Sequence, residues 1–182
     1  MGRLIIITGG ARSGKSTFAE KLASKTDSVL YIATSVPFDD EMKDRVRRHR
    51  ERRPSSWDTY EGYKGLKDII AGTDKKAVLL DCVTIMITNL LMDANLDWDN
   101  VPMDVIDEVE KGIEKEIMGI IEGARKSSAD VVLVTNEVGM GLVPEYRLGR
   151  IFRDIAGRMN QLVAAAADEV YMVIAGIPVK IK

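Results

Sequence analysis

The chain has 182 residues, of which 46% are hydrophobic and 30% are charged, and its formal net charge at pH 7 is −2. This length and hydrophobic content are typical of one folded domain, which we expect to span residues 1–182. The balanced charge excludes a global electrostatic field that would attract nucleic acid or a membrane surface. The single cysteine, Cys82, excludes an intrachain disulfide and favours a cytoplasmic location. No apolar run in the sequence approaches the roughly 20 residues that a membrane span needs.

The N-terminal residues predict a phosphate-binding loop. The apolar run Leu4-Ile5-Ile6-Ile7-Thr8 is typical of a buried strand, and an amphipathic helix is predicted from Ser16 onward. Between them lies a match to G-x-x-x-x-G-K-[ST], namely Gly9, Gly10, Ala11, Arg12, Ser13, Gly14, Lys15 and Ser16. Backbone N–H groups and a helix N-terminus bind phosphate in such a loop. We therefore expect a nucleotide site in which Lys15 contacts the β/γ-phosphates and the Ser16 hydroxyl contacts Mg²⁺.

The second predicted strand, Val29–Ala33, ends in two hydroxyl residues. Open α/β sheets bind their ligands at the carboxyl ends of strands. Ala33, Thr34 and Ser35 are therefore candidate nucleotide contacts. A simple loop start is the alternative interpretation of this segment.

Residues 45–54 contain six arginines and the only histidine of the chain, His49. Such a run is usually a solvated face or a patch for polyanions, and a lone histidine is more often structural than catalytic. The surrounding positive charge, however, disfavours the imidazolium form and leaves a neutral, nucleophilic ring. Guanidinium groups also bind phosphates bidentately. The pattern therefore makes His49 a candidate nucleophile toward phosphorus.

Three further segments carry candidate polar groups. Glu61 ends a short predicted strand over 57–61 and could face a ribose or base edge, although an exposed acid is an equal alternative. Asp81 ends the apolar strand Ala77–Asp81 and could hold Mg²⁺, although it could instead cap the next helix. Asn136-Glu137-Val138-Gly139-Met140-Gly141 follows the strand predicted over 131–135. We interpret it as a mobile polar substrate loop, with a hairpin-like turn as the alternative.

The predicted elements alternate between strands and helices, including amphipathic helices over 103–127 and 147–167. This order predicts an α/β fold with a mainly parallel sheet covered on both faces. A turn over 176–178 leads into a short C-terminal edge strand over 179–181. Because the connections in such folds are right-handed, we expect Thr34, Asp81 and Asn136 to converge on one crevice beside the phosphate-binding loop.

These residues together resemble the bifunctional adenosylcobinamide kinase / adenosylcobinamide-phosphate guanylyltransferases of cobalamin biosynthesis. The likeness runs essentially end to end. It is carried by the sequence segments GGARSGKS (9–16), YIATS (31–35), DEM (40–42), RHR (48–50), RP (53–54), Trp57, DCVT (81–84), NLL (89–91), NEVG (136–139), FRD (152–154), NQ (160–161) and the closing GIPVKIK. The first of these is shared by many families, whereas its conjunction with a basic segment holding one histidine and with NEVG is much more specific.

The resemblance implies a RecA-type P-loop fold, a homotrimer and two reactions. The first phosphorylates adenosylcobinamide with ATP or GTP, and the second transfers GMP from GTP to adenosylcobinamide phosphate through a guanylylated histidine. That histidine can only be His49, and its neighbours Arg50, Glu51, Arg52 and Arg53 are then nucleotide contacts. Glu61 looks like a guanosine contact and Asp81 like a metal or nucleotide contact. The base of the kinase step stays open between Asp81 and Glu137.

Two other functions fit parts of the sequence. One is a kinase for another small metabolite, with the arginine segment as a lid. The other is a RecA-like ATPase that binds nucleic acid through residues 45–53. Only Trp57 and Tyr60 could stack on bases near that run, which speaks against a nucleic-acid partner.

Overall fold

The computed structural model describes residues 2–36 and 54–182. The predicted helix before the arginine run, the run itself up to Arg53, and His49 lie outside this range. In chain order the elements are β1 (Leu4–Gly9), α1 (Lys15–Ala23), β2 (Val29–Ala33), β3 (Asp58–Glu61), α2 (Leu66–Ala71), β4 (Ala77–Asp81), α3 (Val83–Asp93), α4 (Met103–Lys126), β5 (Asp130–Val134), α5 (Arg147–Ala166), β6 (Glu169–Ile174) and β7 (Ile177–Lys180).

Seven strands form one sheet in the order β3-β2-β4-β5-β1-β6-β7. All neighbouring pairs are parallel except the terminal pair β6–β7, which is antiparallel. The expected mainly parallel sheet with an antiparallel C-terminal edge is therefore confirmed. Strand β1, which leads into the phosphate-binding loop, lies between β5 and β6, so the loops that follow β5 and β6 are its immediate neighbours.

Successive residues of β1 point to opposite faces of the sheet because a strand has a two-residue period. Leu4 and Ile6 belong to a buried cluster with residues of α2, α3, α4 and α5. Ile5 and Ile7 belong to a second cluster with Ala19 and Ala23 of α1 and with Trp57. Both faces are thus covered by helices, which explains why the central strands are continuous apolar runs rather than alternating ones.

The amphipathic stripe predicted for the long helix is confirmed in α4. Ile106, Ile113 and Ile117 are buried, as are both Ile120 and Ile121. This face packs on α2 and, less extensively, on α5. The helix is structural, and no side chain of α4 lines the cavity described below.

The turn before the last strand lies at Ala175 and Gly176, so the predicted turn over 176–178 is wrong. Both residues have positive φ, 51° and 82°, as the two central residues of a type I′ hairpin turn require. Pro178 consequently lies inside β7, where it pairs with Val173. An edge strand accommodates proline because one side of its backbone needs no partner.

Within the two described ranges, 2–36 and 54–182, the helices are all too short or too polar to cross a membrane.

Candidate active site

The phosphate-binding loop connects β1 to α1 and has the geometry that its sequence predicts. Gly14 adopts φ 96° and is the N-cap of α1, a conformation that favours glycine. The Ser13 N–H donates to the Gly10 carbonyl at 3.3 Å, and Phe18 N–H donates to the Gly14 carbonyl at 3.0 Å. The buried Lys15 side chain donates from Nζ to the Gly10 carbonyl at 2.9 Å. The lysine is therefore folded over the loop, next to the place where phosphate would lie.

Two neighbouring loops hold this loop in place. The Glu137 N–H, after β5, donates to the Gly9 carbonyl at 3.1 Å, and the Gly176 N–H, in the β6–β7 turn, donates to the Ser13 carbonyl at 2.8 Å. Gly9 is packed so closely that a Cβ atom there would lie 2.5 Å from the Val173 carbonyl oxygen. The shape of the loop is thus fixed by contacts on both sides of β1.

Thr34 joins the carboxyl ends of β2 and β4. Its hydroxyl donates to the Cys82 carbonyl at 2.8 Å and accepts from the Cys82 N–H at 2.9 Å. Its carbonyl accepts from the Asn89 side chain at 2.7 Å. Because Thr34 is fully buried, these bonds tie two strand ends and α3 together. The prediction that Thr34 contacts nucleotide stays a prediction.

Asp81 ends β4, and the peptide bond to Cys82 is cis. Its Oδ2 accepts from the Tyr31 hydroxyl at 3.4 Å. The N-cap of α3 is Cys82, with no side-chain cap hydrogen bond, so Asp81 does not cap this helix. That alternative is wrong, and the carboxylate remains available for a metal or nucleotide.

Cys82 is a buried thiol beside Asp81, and its Sγ lies 3.2 Å from the Thr84 hydroxyl oxygen. Burial, reinforced by the neighbouring Asp81 charge, raises the pKa of the Cys82 thiol. A raised pKa keeps the sulfur protonated near neutrality and makes it a poor nucleophile. The residue therefore packs the site rather than reacting in it.

The loop after β5 is fixed by side-chain hydrogen bonds. The Asn136 amide donates to the Thr84 hydroxyl at 2.6 Å. Asn160 of α5 accepts from the Thr135 hydroxyl at 2.7 Å and donates to the Asn136 carbonyl at 3.0 Å. Arg153 donates to the Gly139 carbonyl at 2.9 Å. The loop leads from β5 to α5, so the hairpin-like alternative is wrong, and residues 135–139 are held from two helices.

A cavity of about 750 Å³ lies between the phosphate-binding loop, the start of α3 and the loop after β5. Its polar part comes from the phosphate-binding loop, α3 and the first residues of the loop after β5, and its apolar part includes Ile85, Val138, Met140 and Phe152. The described lining residues are Gly10, Ala11, Arg12, Lys15, Thr84, Ile85, Thr88, Asn136, Glu137, Val138, Met140, Gly141 and Phe152. A phosphate-bearing ligand with an apolar portion fits this lining.

Sequence reasoning assigned no role to the first turn of α3 or to Phe152. Thr84, Ile85 and Thr88 share one helix face at the i, i+1 and i+4 positions, directly after the strand that ends in Asp81. That placement, at the carboxyl end of a strand, is the signal that could have identified them. Phe152 is 13 residues beyond Gly139, and no local pattern distinguishes it from a core residue.

The predicted site residues divide into four groups. The phosphate-binding loop and Asn136 meet at the cavity, whereas Thr34 and Asp81 are joined to it through Cys82 and Thr84. Glu61 is exposed at the end of β3, in register with Ala33 of β2, and Ser35 follows two residues later. The candidates His49, Arg50, Glu51, Arg52 and Arg53 lie outside the described residues.

A sequence model of the family described as cobinamide kinase / cobinamide phosphate guanyltransferase matches residues 5–181. The chain belongs to this family. It is 52% identical, over 98% of its length and 99% of the relative, to the bifunctional adenosylcobalamin biosynthesis protein CobU of Escherichia coli strain K12. It is 50% identical to the bifunctional adenosylcobalamin biosynthesis protein CobU of Salmonella typhimurium, again over 98% of this chain and 99% of the relative. The chain is thus a bifunctional enzyme of adenosylcobalamin biosynthesis.

Among solved structures, this cobinamide kinase / cobinamide phosphate guanyltransferase resembles an ATPase from the type III secretion system of pathogenic bacteria. The TM-score is 0.59 at 12% sequence identity, covering 94% of this chain and 52% of that chain. Likeness at this identity concerns the fold alone, and it agrees with the expected mainly parallel α/β fold of RecA type. The family assignment favours the bifunctional enzyme over the simple kinase and over the nucleic-acid-binding ATPase.

Proposed function

We propose that the phosphate-binding loop holds the nucleoside triphosphate, ATP or GTP, in both reactions, and that GMP passes from GTP to adenosylcobinamide phosphate through His49. The observation that carries this proposal is the cavity in which Lys15 and the loop glycine Gly10 face the Asn136–Glu137 segment. Lys15 and the loop amides supply the positive and donor groups that β/γ-phosphates need.

The strand order supports a nucleotide that extends along the carboxyl edge of the sheet. With strands about 4.8 Å apart, β2 lies about 14 Å and β3 about 19 Å from β1. These spans are on the order of the length of an extended nucleoside triphosphate. Phosphates on the loop after β1 would therefore place the guanosine near Ala33, Ser35 and Glu61, with Asp81 between the two ends.

Ser16 and Asp81 are the residues that would hold Mg²⁺. Both offer oxygen ligands, and α1, which carries Ser16, packs against β4, which carries Asp81. The described chain holds no group of three or more metal-ligating side chains. Mg²⁺ typically takes only one or two protein ligands, together with phosphate oxygens and water. When bound, the ion supplies charge neutralisation of the β/γ-phosphates.

The guanylyl transfer follows from the chemistry of a neutral imidazole. The His49 nitrogen attacks the α-phosphorus of GTP, the bond to the bridging oxygen breaks, and pyrophosphate leaves with the electron pair. Arg50, Arg52 or Arg53 would neutralise charge on the α-phosphate. The phosphate of adenosylcobinamide phosphate then displaces the histidine, which forms adenosylcobinamide-GDP and regenerates the free imidazole.

The assembly and location of the enzyme follow from the resemblance and from the sequence. We infer a homotrimer with sites between subunits, because the resembled family forms trimers. The cytoplasm is the expected location because the single cysteine leaves no intrachain disulfide to form.

Two variants test the proposal when both reactions are assayed separately. Lys15→Ala removes the phosphate contact, so both activities should fall by about 100-fold or more. His49→Ala should abolish transfer of GMP to adenosylcobinamide phosphate, while phosphorylation of adenosylcobinamide by ATP continues. Lys21→Ala, on the same helix and away from the cavity, is the matched control. Full guanylyltransferase activity in His49→Ala, or full kinase activity in Lys15→Ala, would contradict the proposal.

A further inference from the structure

We propose that Glu137 is the residue that accepts the proton of the substrate hydroxyl in the kinase reaction. This inference rests on the proposed binding of the donor phosphates by the phosphate-binding loop. It concerns a choice that the sequence leaves open, between Asp81 and Glu137.

The position of Glu137 relative to the phosphate-binding loop is fixed by its own backbone. Its N–H donates to the Gly9 carbonyl at 3.1 Å, at the first residue of that loop. Asn136, the preceding residue, is bonded through its side chain to Thr84 and through its carbonyl to Asn160. Glu137 is therefore anchored directly to the element that would carry the γ-phosphate, and it does not depend on a long flexible connection.

The Glu137 side chain is also oriented. Its Oε1 accepts from the Gly139 N–H at 2.7 Å, which fixes the plane of the carboxylate. Among the described cavity-lining residues, Glu137 is the one that carries a carboxylate. Because Oε1 accepts from the Gly139 N–H, Oε2 is the oxygen that would accept a proton from a ligand in the cavity, which Lys15 also lines.

Asp81, the other candidate, has a different environment. Its Oδ2 accepts from the Tyr31 hydroxyl, and it does not line the described cavity. It is one strand further from β1 than the loop that carries Glu137. This placement suits a ligand of Mg²⁺ or of the nucleotide, whereas Glu137 lies where an acceptor hydroxyl would approach the γ-phosphate.

The step is balanced as follows. The hydroxyl oxygen of the substrate forms a bond to the γ-phosphorus, and the bond between that phosphorus and the β,γ-bridging oxygen breaks. The electron pair leaves on the nucleoside diphosphate, and the hydroxyl proton moves to Glu137 Oε2. A positioned carboxylate in this role contributes about 10²–10⁴-fold to the rate.

The bifunctional enzyme provides its own internal control for this inference. In Glu137→Gln the side-chain carbonyl can still accept from the Gly139 N–H, so the loop is retained while proton acceptance is lost. We expect kcat for phosphorylation of adenosylcobinamide by ATP to fall about 100-fold or more. Transfer of GMP to adenosylcobinamide phosphate should lose much less activity than phosphorylation does, because its acceptor is already a phosphate and has no hydroxyl proton to give up. Glu145→Gln, at an exposed position of the same connection, should change neither reaction.

Glu137→Asp supplies a second variant that keeps a carboxylate. It should recover part of the kinase rate lost in Glu137→Gln, since proton acceptance is restored at a poorer distance. A Glu137→Gln enzyme with wild-type kinase kcat would overturn the assignment, and so would an equal loss of both reactions. If kinase activity survives in Lys15→Ala, the proposed donor site fails. If kinase activity is lost in Lys15→Ala but survives in Glu137→Gln, the donor site stands and only the proposed role of Glu137 fails.

Discussion

Gly9 and Gly10 are adjacent in the phosphate-binding loop but differ in the space around them. A Cβ on Gly9 would lie 2.5 Å from the Val173 carbonyl oxygen, whereas a Cβ on Gly10 would have no atom within 4 Å. Gly9→Ala should therefore lower the free energy of unfolding by about 1–3 kcal/mol, as overpacking does. Gly10→Ala should change it by less than about 0.5 kcal/mol.

Chemical denaturation of the two variants measures this difference. Gly10→Ala should still weaken nucleotide binding, because Gly10 lines the cavity and an added methyl group projects toward the phosphates. Equal stability of the two variants would show that the β6 backbone does not restrain the start of the loop as described.

The residues whose roles could be predicted from the sequence are those encoded by a local pattern. The phosphate-binding loop is one, because its glycine spacing and its place between strand and helix are contiguous. The bond between Asn136 and Thr84 joins residues 52 apart in sequence, and the bonds of Asn160 join residues 24 and 25 apart. Amide and hydroxyl groups in such pairs produce no periodic signal, so only the fold reveals them.

At the scale of elements, Asn160 connects α5 to the loop after β5. Asn160→Ala would leave the Thr135 hydroxyl and the Asn136 carbonyl without their described partner. We expect a loss of about 1–3 kcal/mol in the free energy of unfolding, which is typical of partly buried polar groups left unpaired. Kinase activity should fall as well, because Glu137 directly follows Asn136.

Urea denaturation of Asn160→Ala beside Gln161→Ala tests this expectation. Gln161 is exposed on the same helix, so its variant should remain within about 0.5 kcal/mol of the wild type. If the two variants are equally stable, Asn160 does not hold the loop.

A second connection between elements lies at the amino ends of β1 and β6, whereas the cavity lies at the carboxyl ends of the strands. Glu169 of β6 accepts from the Tyr171 hydroxyl and pairs with Lys180 at 3.0 Å and Arg3 at 2.7 Å. These contacts lower the pKa of Glu169 to about 2, and the hydrogen bond from Tyr171 makes the largest contribution. A lowered pKa in the folded state means that the carboxylate stabilises the fold at and above its unfolded pKa, near 4.5. This contribution is lost as the pH falls from about 5 toward 2.

Urea midpoints measured between pH 3 and pH 6 report this contribution. The urea midpoint of the wild type should fall steadily as the pH falls, and the midpoint of Glu169→Gln should fall less steeply. The urea midpoint of the variant should still depend on pH, because hydrogen bonding and charge from Arg3 also lower the pKa of Asp130. If the urea midpoints of the two proteins depend on pH in the same way, the ion pairs described for Glu169 are contradicted.

Elements were predicted more reliably than the turn that joins the last two. The strands and long helices follow from apolar periodicity, and the parallel order follows from their alternation. The type I′ turn at Ala175 and Gly176 was placed too late because alanine rarely adopts positive φ. Its position is given by the pairing of β6 with β7, in which Ile174 is in register with Ile177.

At the scale of the whole molecule, several apolar side chains are exposed around the loop that leads to α5. Leu142 is 95% exposed, and Met140, Val143 and Tyr146 are each more than 60% exposed. Apolar exposure concentrated in one short segment of the chain favours an interaction site. It agrees with the homotrimer that the resemblance implies.

Sedimentation equilibrium tests the assembly directly. We expect a single species of three times the chain mass of 20.1 kDa, with no dependence on loading concentration in the micromolar range. A species of one chain mass under the same conditions would contradict the homotrimer and the expected position of the sites between subunits.

In the proposed mechanism, one P-loop domain carries out both reactions, and His49 covalently holds GMP during the second. The decisive measurement is incubation with GTP labelled at the α-phosphate, followed by denaturation. We expect the label to be retained on the chain, labile in acid, stable in alkali and absent from His49→Ala. An unlabelled wild-type chain, or undiminished labelling of His49→Ala, would contradict it.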